Sequence, residues 1–161
     1  MKKKKKLYIG LAIAFVLVLI IVYGNRNTDT KTENTNTTTE KSSDNATYNN
    51  TEFKYLKHEI INNNEKDILI VYFDFTNNSK DNTRAAYNYD INCFQNGVEL
   101  DYPLLKVVEE EDNIMKEIQP NTTITIAEAF ILNDRSNVDL EVEAHSSFIN
   151  KKLIKKALTL E

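Results

Sequence analysis

Ile68-Leu69-Ile70-Val71-Tyr72-Phe73-Asp74-Phe75-Thr76 is the stretch whose reading decides the fold. Side chains of an extended chain point to opposite faces in turn, so Leu69, Val71, Phe73 and Phe75 share one face while Ile68, Ile70 and Tyr72 share the other. Apolar residues on both faces predict a strand in the middle of a sheet, covered on each side. Asn77-Asn78-Ser79-Lys80 follows at once, with short polar side chains that bond their own backbone and turn the chain.

The next signal is Asn96-Gly97, flanked by a strand over 87–95 and another over 98–102. A two-residue hairpin needs positive φ at both turn positions, which asparagine and glycine supply. The register then follows: Gln95 opposes Val98, Cys93 opposes Leu100 and Ile91 opposes Tyr102, all on one face. Cys93 reads as a small core hydrophobe. Residues 122–132 form a further strand, entered through Pro120-Asn121, but its apolar phase shifts after Ile126. Glu128 therefore falls where a core residue belongs, and a bulge at that point would restore the alternation. Val138, Leu140, Val142 and Ala144 alternate with Asp139, Glu141, Glu143 and His145, as in a strand with one wet face. Weaker strands cover 53–61 and 152–160, the latter equally readable as a short helix through Leu153, Ile154, Ala157 and Leu158. Short strands at this spacing predict an all-β, antiparallel sandwich, with a small barrel as the alternative.

The N-terminal third is of another kind. Lys2 to Lys6 precede an uncharged run that opens at Leu7 and closes at Tyr23. That length is about the minimum for a membrane-spanning helix, and the lysines hold its N-terminal side in the cytoplasm. The expected order is a basic tail over 1–6, a signal-anchor helix over 7–23, a polar linker over 24–50 and the β domain over 51–161. The domain then lies outside the cell membrane, or is secreted if the segment is cleaved near Gly24. The linker is Asn, Thr, Lys, Glu, Ser and Asp, too polar to offset its ordering entropy. Its Asn-x-Ser/Thr triplets are what composition alone produces.

Composition removes several function classes. The net charge is −4, but without the five N-terminal lysines 15 basic residues face 24 acidic ones. Such a surface repels phosphate backbones, so nucleic acid is not an expected partner. Cys93 is the sole cysteine, which excludes an intrachain disulfide and a zinc cluster. His58 and His145 stand apart and in no metal or nucleophile motif.

The segment Cys93-Phe94-Gln95-Asn96-Gly97-Val98-Glu99-Leu100, with Ile70 to Ser79 before it and Glu117-Ile118-Gln119-Pro120 and Ala127-Glu128-Ala129-Phe130 after it, resembles an uncharacterised domain family of Gram-positive surface lipoproteins. The likeness spans roughly 51–160. It implies an immunoglobulin-like sandwich outside the membrane and transfers no activity. Two positions depart from the family. Asn25 stands where a lipidated cysteine is usual, which shifts anchoring to the apolar helix, and Asn121 replaces a glycine but still tolerates the left-handed backbone.

Chemistry is sparse. Glu109, Glu110, Glu111 and Asp112 are the one candidate for a metal, as a calcium site, although the spacing of a calcium-binding loop is missing and a solvated acidic loop accounts for them. No catalytic residue and no cofactor is expected. Tyr87, Tyr89 and Tyr102 are read as core packing rather than a recognition surface. Lys151, Lys152, Lys155 and Lys156 are read as solvated charge. The expected function is a membrane-anchored, non-enzymatic binding module of a bacterial envelope, its partner an envelope protein, peptide or cell-wall ligand. The alternatives are an immunity or superinfection-exclusion factor that masks a surface target, and an extracytoplasmic hydrolase.

Overall fold

Alternation of apolar side chains becomes, in the computed structural model, two four-stranded antiparallel sheets. The structure describes residues 43–63, 66–145 and 151–160. The apolar run of 7–23 lies outside them. Among the described residues no helix is long and apolar enough to cross a membrane. The strands are β1 Asn45–Tyr48, β2 Thr51–Asn63, β3 Lys66–Asn77, β4 Tyr89–Gln95, β5 Val98–Glu99, β6 Thr122–Ile131, β7 Val138–Ala144 and β8 Lys152–Leu158. Sheet one runs β1-β2-β3-β6 and sheet two β5-β4-β7-β8. β1 falls inside the span that composition assigns to the linker, because pairing with β2 and burial of Ala46 order this four-residue segment. The C-terminal segment, open between strand and helix, is a strand paired with β7.

β3 sits between β2 and β6, as its two apolar faces require. Leu69, Val71, Phe73 and Phe75 face the second sheet and join the main core with Leu140, Val142, Ile154 and Leu158. Ile68, Ile70 and Tyr72 face outward and form a smaller core with Ala127 and Ala129. The sheets lock through aromatic rings: Phe53 of β2 stacks on Phe73 and on Tyr89 of β4, each with ring centroids 4.5 Å apart. In β2 the register shifts between Tyr55 and Lys57. That bulge leaves His58 and Ile60 opposite the inward-facing Val71 and Leu69.

The hairpin forms as its turn demands, with Asn96 at φ 53° and Gly97 at φ 78°. Gln95 opposes Val98, and the Leu100 N–H donates to the Cys93 carbonyl at 2.8 Å. β5 ends at Glu99, so Ile91 and Tyr102 do not pair along the ladder; Tyr102 instead donates its hydroxyl to the Ile91 carbonyl and lays its ring on Phe130 of the other sheet. Nothing lies within 4 Å of a Cβ built on Gly97, so Gly97→Ala isolates the backbone cost of positive φ. Chemical denaturation is expected to show a loss of about 1 kcal/mol with no change of cooperativity.

Asn77 carries the turn after β3. It is fully buried, its amide donating to the Asp81 and Ile118 carbonyls while its Oδ1 accepts from the Ser79 amide and hydroxyl. Such complete satisfaction is what allows a polar side chain to be buried there.

Candidate functional site

Leaving β5, the chain crosses from the second sheet to the outer face of the first. Residues 100–115 form a strap fixed at both ends. At its start the Ile131 N–H donates to the Asp101 carbonyl at 2.8 Å. At its end the acidic run folds into a 3-10 segment, Glu109–Met115, whose Asn113 amide donates to the Thr125 carbonyl of β6 at 2.7 Å. Val107 and Val108 press on the outward core of Ile68, Ile70 and Tyr72.

The strap does not cover that face completely. A groove of about 770 Å³ remains between Ile61, Ile68 and Ile131 of the sheet and Leu104, Leu105 and Val107 of the strap. Leu104 is 101% exposed and Leu105 82%, values of side chains that touch almost nothing. Two adjacent leucines held in water on a strap anchored on both sides form an exposed apolar patch of the sort that marks contact surfaces. This is the candidate site. Nothing in the sequence marks these leucines, because only the long-range path of the strap leaves them uncovered.

The four metal candidates follow on the strap after the groove and do not converge. Lys106 spans Glu109 and Asp112, with its Nζ 3.0 Å from Glu109 Oε2 and 2.8 Å from Asp112 Oδ2. Glu111 turns inward, its Oε1 accepting the N–H groups of Val107 and Val108 at 2.6 and 2.7 Å. Two carboxylates are thus held by a lysine and a third by backbone, and among the described residues no three His, Cys, Asp or Glu side chains gather as a metal set.

Glu128 is where structure and sequence part most clearly. The β3–β6 register runs from Ile68–Ile131 to Asn77–Thr122 without a break, so the expected bulge is absent. Glu128 instead stands opposite Val71 on the inward face, at the sheet edge. Burial, with the charge of Glu111 adding to it, raises its carboxyl to about 7. Burial and then the Glu128 charge push the Cys93 thiol far up, so this cysteine is a core residue and a poor nucleophile. The same two causes lead in raising the Tyr102 hydroxyl to about 12.

The remaining candidates are structural. Of the three tyrosines read as core, Tyr89 is buried, whereas Tyr87 ends a 3-10 turn and Tyr102 is half out of the protein. Arg84 lies over the Tyr87 ring. Glu141, expected on a wet face, is 8% exposed, because Lys152 and Lys155 of β8 reach over it at 2.5 and 3.9 Å. Lys156 pairs with Asp44 at 2.7 Å and lies over the Tyr55 ring, tying the last strand to the start of the first. These lysines are thus partly spent on the fold. His145 is exposed, as expected, and bonds Asp90 through Nδ1 at 2.9 Å.

Comparison with known proteins agrees with this architecture. The family described as a domain of unknown function (DUF5067) matches residues 26–144. No curated protein matches the chain. Among solved structures, a putative lipoprotein from Staphylococcus aureus superposes with a TM-score of 0.56 at 15% identity, over 73% of this chain and 88% of that one. A putative lipoprotein from Bacillus subtilis gives 0.49 at 13% identity, over 73% of this chain and 37% of that one. At such identities the likeness is one of fold.

Proposed function

Since the chain belongs to the family described as a domain of unknown function (DUF5067), we propose that it is a non-enzymatic binding module of a bacterial envelope. In this reading an immunoglobulin-like sandwich stands outside the membrane, held by the apolar run that opens at Leu7 and closes at Tyr23. It presents the Leu104–Leu105 groove to a partner. The observation that carries it is the full exposure of those two leucines on a strap fixed on both sides. A mobile apolar loop would collapse onto the nearest apolar surface, whereas a fixed one keeps its side chains available at little entropic cost on binding. The basic tail and polar linker support the placement. So does the fold shared with a putative lipoprotein of a Gram-positive bacterium.

The test is made in growing cells. A photo-reactive amino acid at position 104 is expected to give a light-dependent adduct with a component of the envelope, while the same substitution at Lys80, in the turn after β3, gives none. Equal adducts at both positions, or none at 104, would remove the site. A cysteine placed at Lys80 is expected to react with a membrane-impermeant maleimide in intact cells, and protection until lysis would overturn the placement.

A further inference from the structure

Glu128 is the one carboxylate of β6, and the start of the strap closes over the edge of the sandwich where it lies. It is half-buried on the inward face, in line with Ile126 and Phe130 and opposite Val71. Among the described residues no hydrogen bond or ion pair holds it. Glu111 of the 3-10 segment adds its charge to that of Glu128, and Cys93 of β4 lies in the field of the same carboxylate. The other charged groups on the adjoining elements are engaged elsewhere: Asp74 of β3 takes the Thr125 hydroxyl at 2.8 Å, Asp67 holds Arg135, and Lys106 of the strap is held by Glu109 and Asp112. A charge on Glu128 is therefore unrelieved inside the closed edge.

Tyr102 is what closes that edge. Its ring lies on Phe130, two residues along from Glu128, with centroids 5.2 Å apart, and its hydroxyl donates to the Ile91 carbonyl at 3.2 Å, so one side chain joins β6 to β4. Beside it the Ile131 N–H donates to the Asp101 carbonyl. Burial first, then the charges of Glu128, Glu99, Cys93 and Asp90, keep the Tyr102 hydroxyl protonated, and burial keeps the Cys93 thiol so. Of these three side chains Glu128 alone changes charge near neutrality.

We propose that Glu128 is a proton-operated latch on the strap: neutral, it stays within the edge that Tyr102 closes, and ionised, it turns to water and frees Tyr102 from Phe130 and Ile91, so that the start of the strap loosens. The closed edge favours the protonated form, with titration at about 7 against an ordinary 4.5. Opening therefore becomes easier as pH rises from about 4.5 to 7 and changes no further above that. The strap carries Leu104 and Leu105, so the latch, resting here on the binding-module reading above, makes their groove responsive to the pH outside the membrane.

Cys93, the sole cysteine of the chain and fully buried, reports the opening. The full chain in nanodiscs of zwitterionic lipid is treated with a dipyridyl disulfide, which reacts with thiols in acid as well as at neutrality, and Glu128→Gln is treated alongside. The labelling rate of the parent relative to the variant is expected to rise at least about tenfold between about pH 5 and 7 and to level off above. Low urea should leave that rate nearly unchanged, because a local opening exposes little surface, whereas labelling through global unfolding accelerates with denaturant. If the Glu128 charge acted only on the thiol, the sign would be the opposite, with the parent slower than the variant at neutral pH. That sign, a ratio flat with pH, or a rate that climbs steeply with urea would overturn the latch. In cells, the adduct at position 104 is expected to vary with external pH in the parent and to lose that dependence in Glu128→Gln; the same dependence in both would overturn the coupling to the groove. Absence of the adduct removes the binding site and leaves the latch standing on the Cys93 labelling, while an adduct with flat labelling removes the latch and leaves the site.

Discussion

Phe53→Ala is expected to lower the stability of the β domain by about 3–5 kcal/mol. The ring is fully buried and stacks on Phe73 within its own sheet and on Tyr89 in the other, at 4.5 Å in each case. Its removal opens a cavity that rigid strands on both sides are poorly able to fill, and it removes both the stack on Tyr89 that joins the layers and the stack on Phe73 within the sheet. A domain of this size has roughly 5–15 kcal/mol in all, so the variant should sit close to unfolding at ordinary temperature. Phe53→Leu keeps most of the volume and should lose less than half as much. The measurement is urea denaturation followed by far-ultraviolet circular dichroism, since the chain has no tryptophan. A loss under about 1 kcal/mol for Phe53→Ala would mean that the layers do not pack through this ring.

Glu128 governs the second large effect, which depends on pH. Its carboxyl titrates at about 7 in the folded chain against an ordinary value of 4.5. The fold favours the protonated form, so the stabilisation is complete below about pH 4.5, declines as pH rises toward 7 and is gone above it. Allowing for the partial exposure of the side chain, the interval is worth about 2–3 kcal/mol. Glu128→Gln, neutral at every pH, should remove this component. The difference between variant and parent should therefore grow in the variant's favour from pH 5 to pH 8, and Glu128→Leu should gain at least as much at pH 8 by extending the core beside Val71. Comparing each with the parent cancels the acid sensitivity of the other carboxylates. A difference that stays flat between pH 5 and 8 would place the carboxyl in water.

What was legible beforehand was what a strand reports about itself. The run from Ile68 to Thr76 announced two covered faces, and β3 has them. Asn96-Gly97 announced both the turn and the offset of the strands beside it, because backbone sterics at two residues fix that geometry locally. Illegible features were those settled by a distant neighbour. Alternation alone offers only a bulge to keep the Glu128 carboxylate from a core; an edge strand offers another way, by leaving the group partly wet and partly protonated. Glu141 looked solvated because nothing in β7 shows that two lysines of β8 arrive over it. β1 was lost in a polar stretch since only Ala46 and Tyr48 mark it, and pairing with β2 supplies the rest. At the candidate site Leu104 and Leu105 carry no periodicity at all, and the pairing of Lys106 with Glu109 and Asp112 follows only from the fold of the strap.

Asparagine rather than glycine turns this chain at Asn49, Asn50, Asn96 and Asn121, each with φ between 50° and 59°. A Cβ at such a corner costs some strain in the native state, yet it also narrows the range of shapes open to the unfolded polypeptide. The corners consequently surrender less disorder on folding than glycine would. A chain with three glycines in 161 residues thus enters its sheets with its bends already favoured by steric bias.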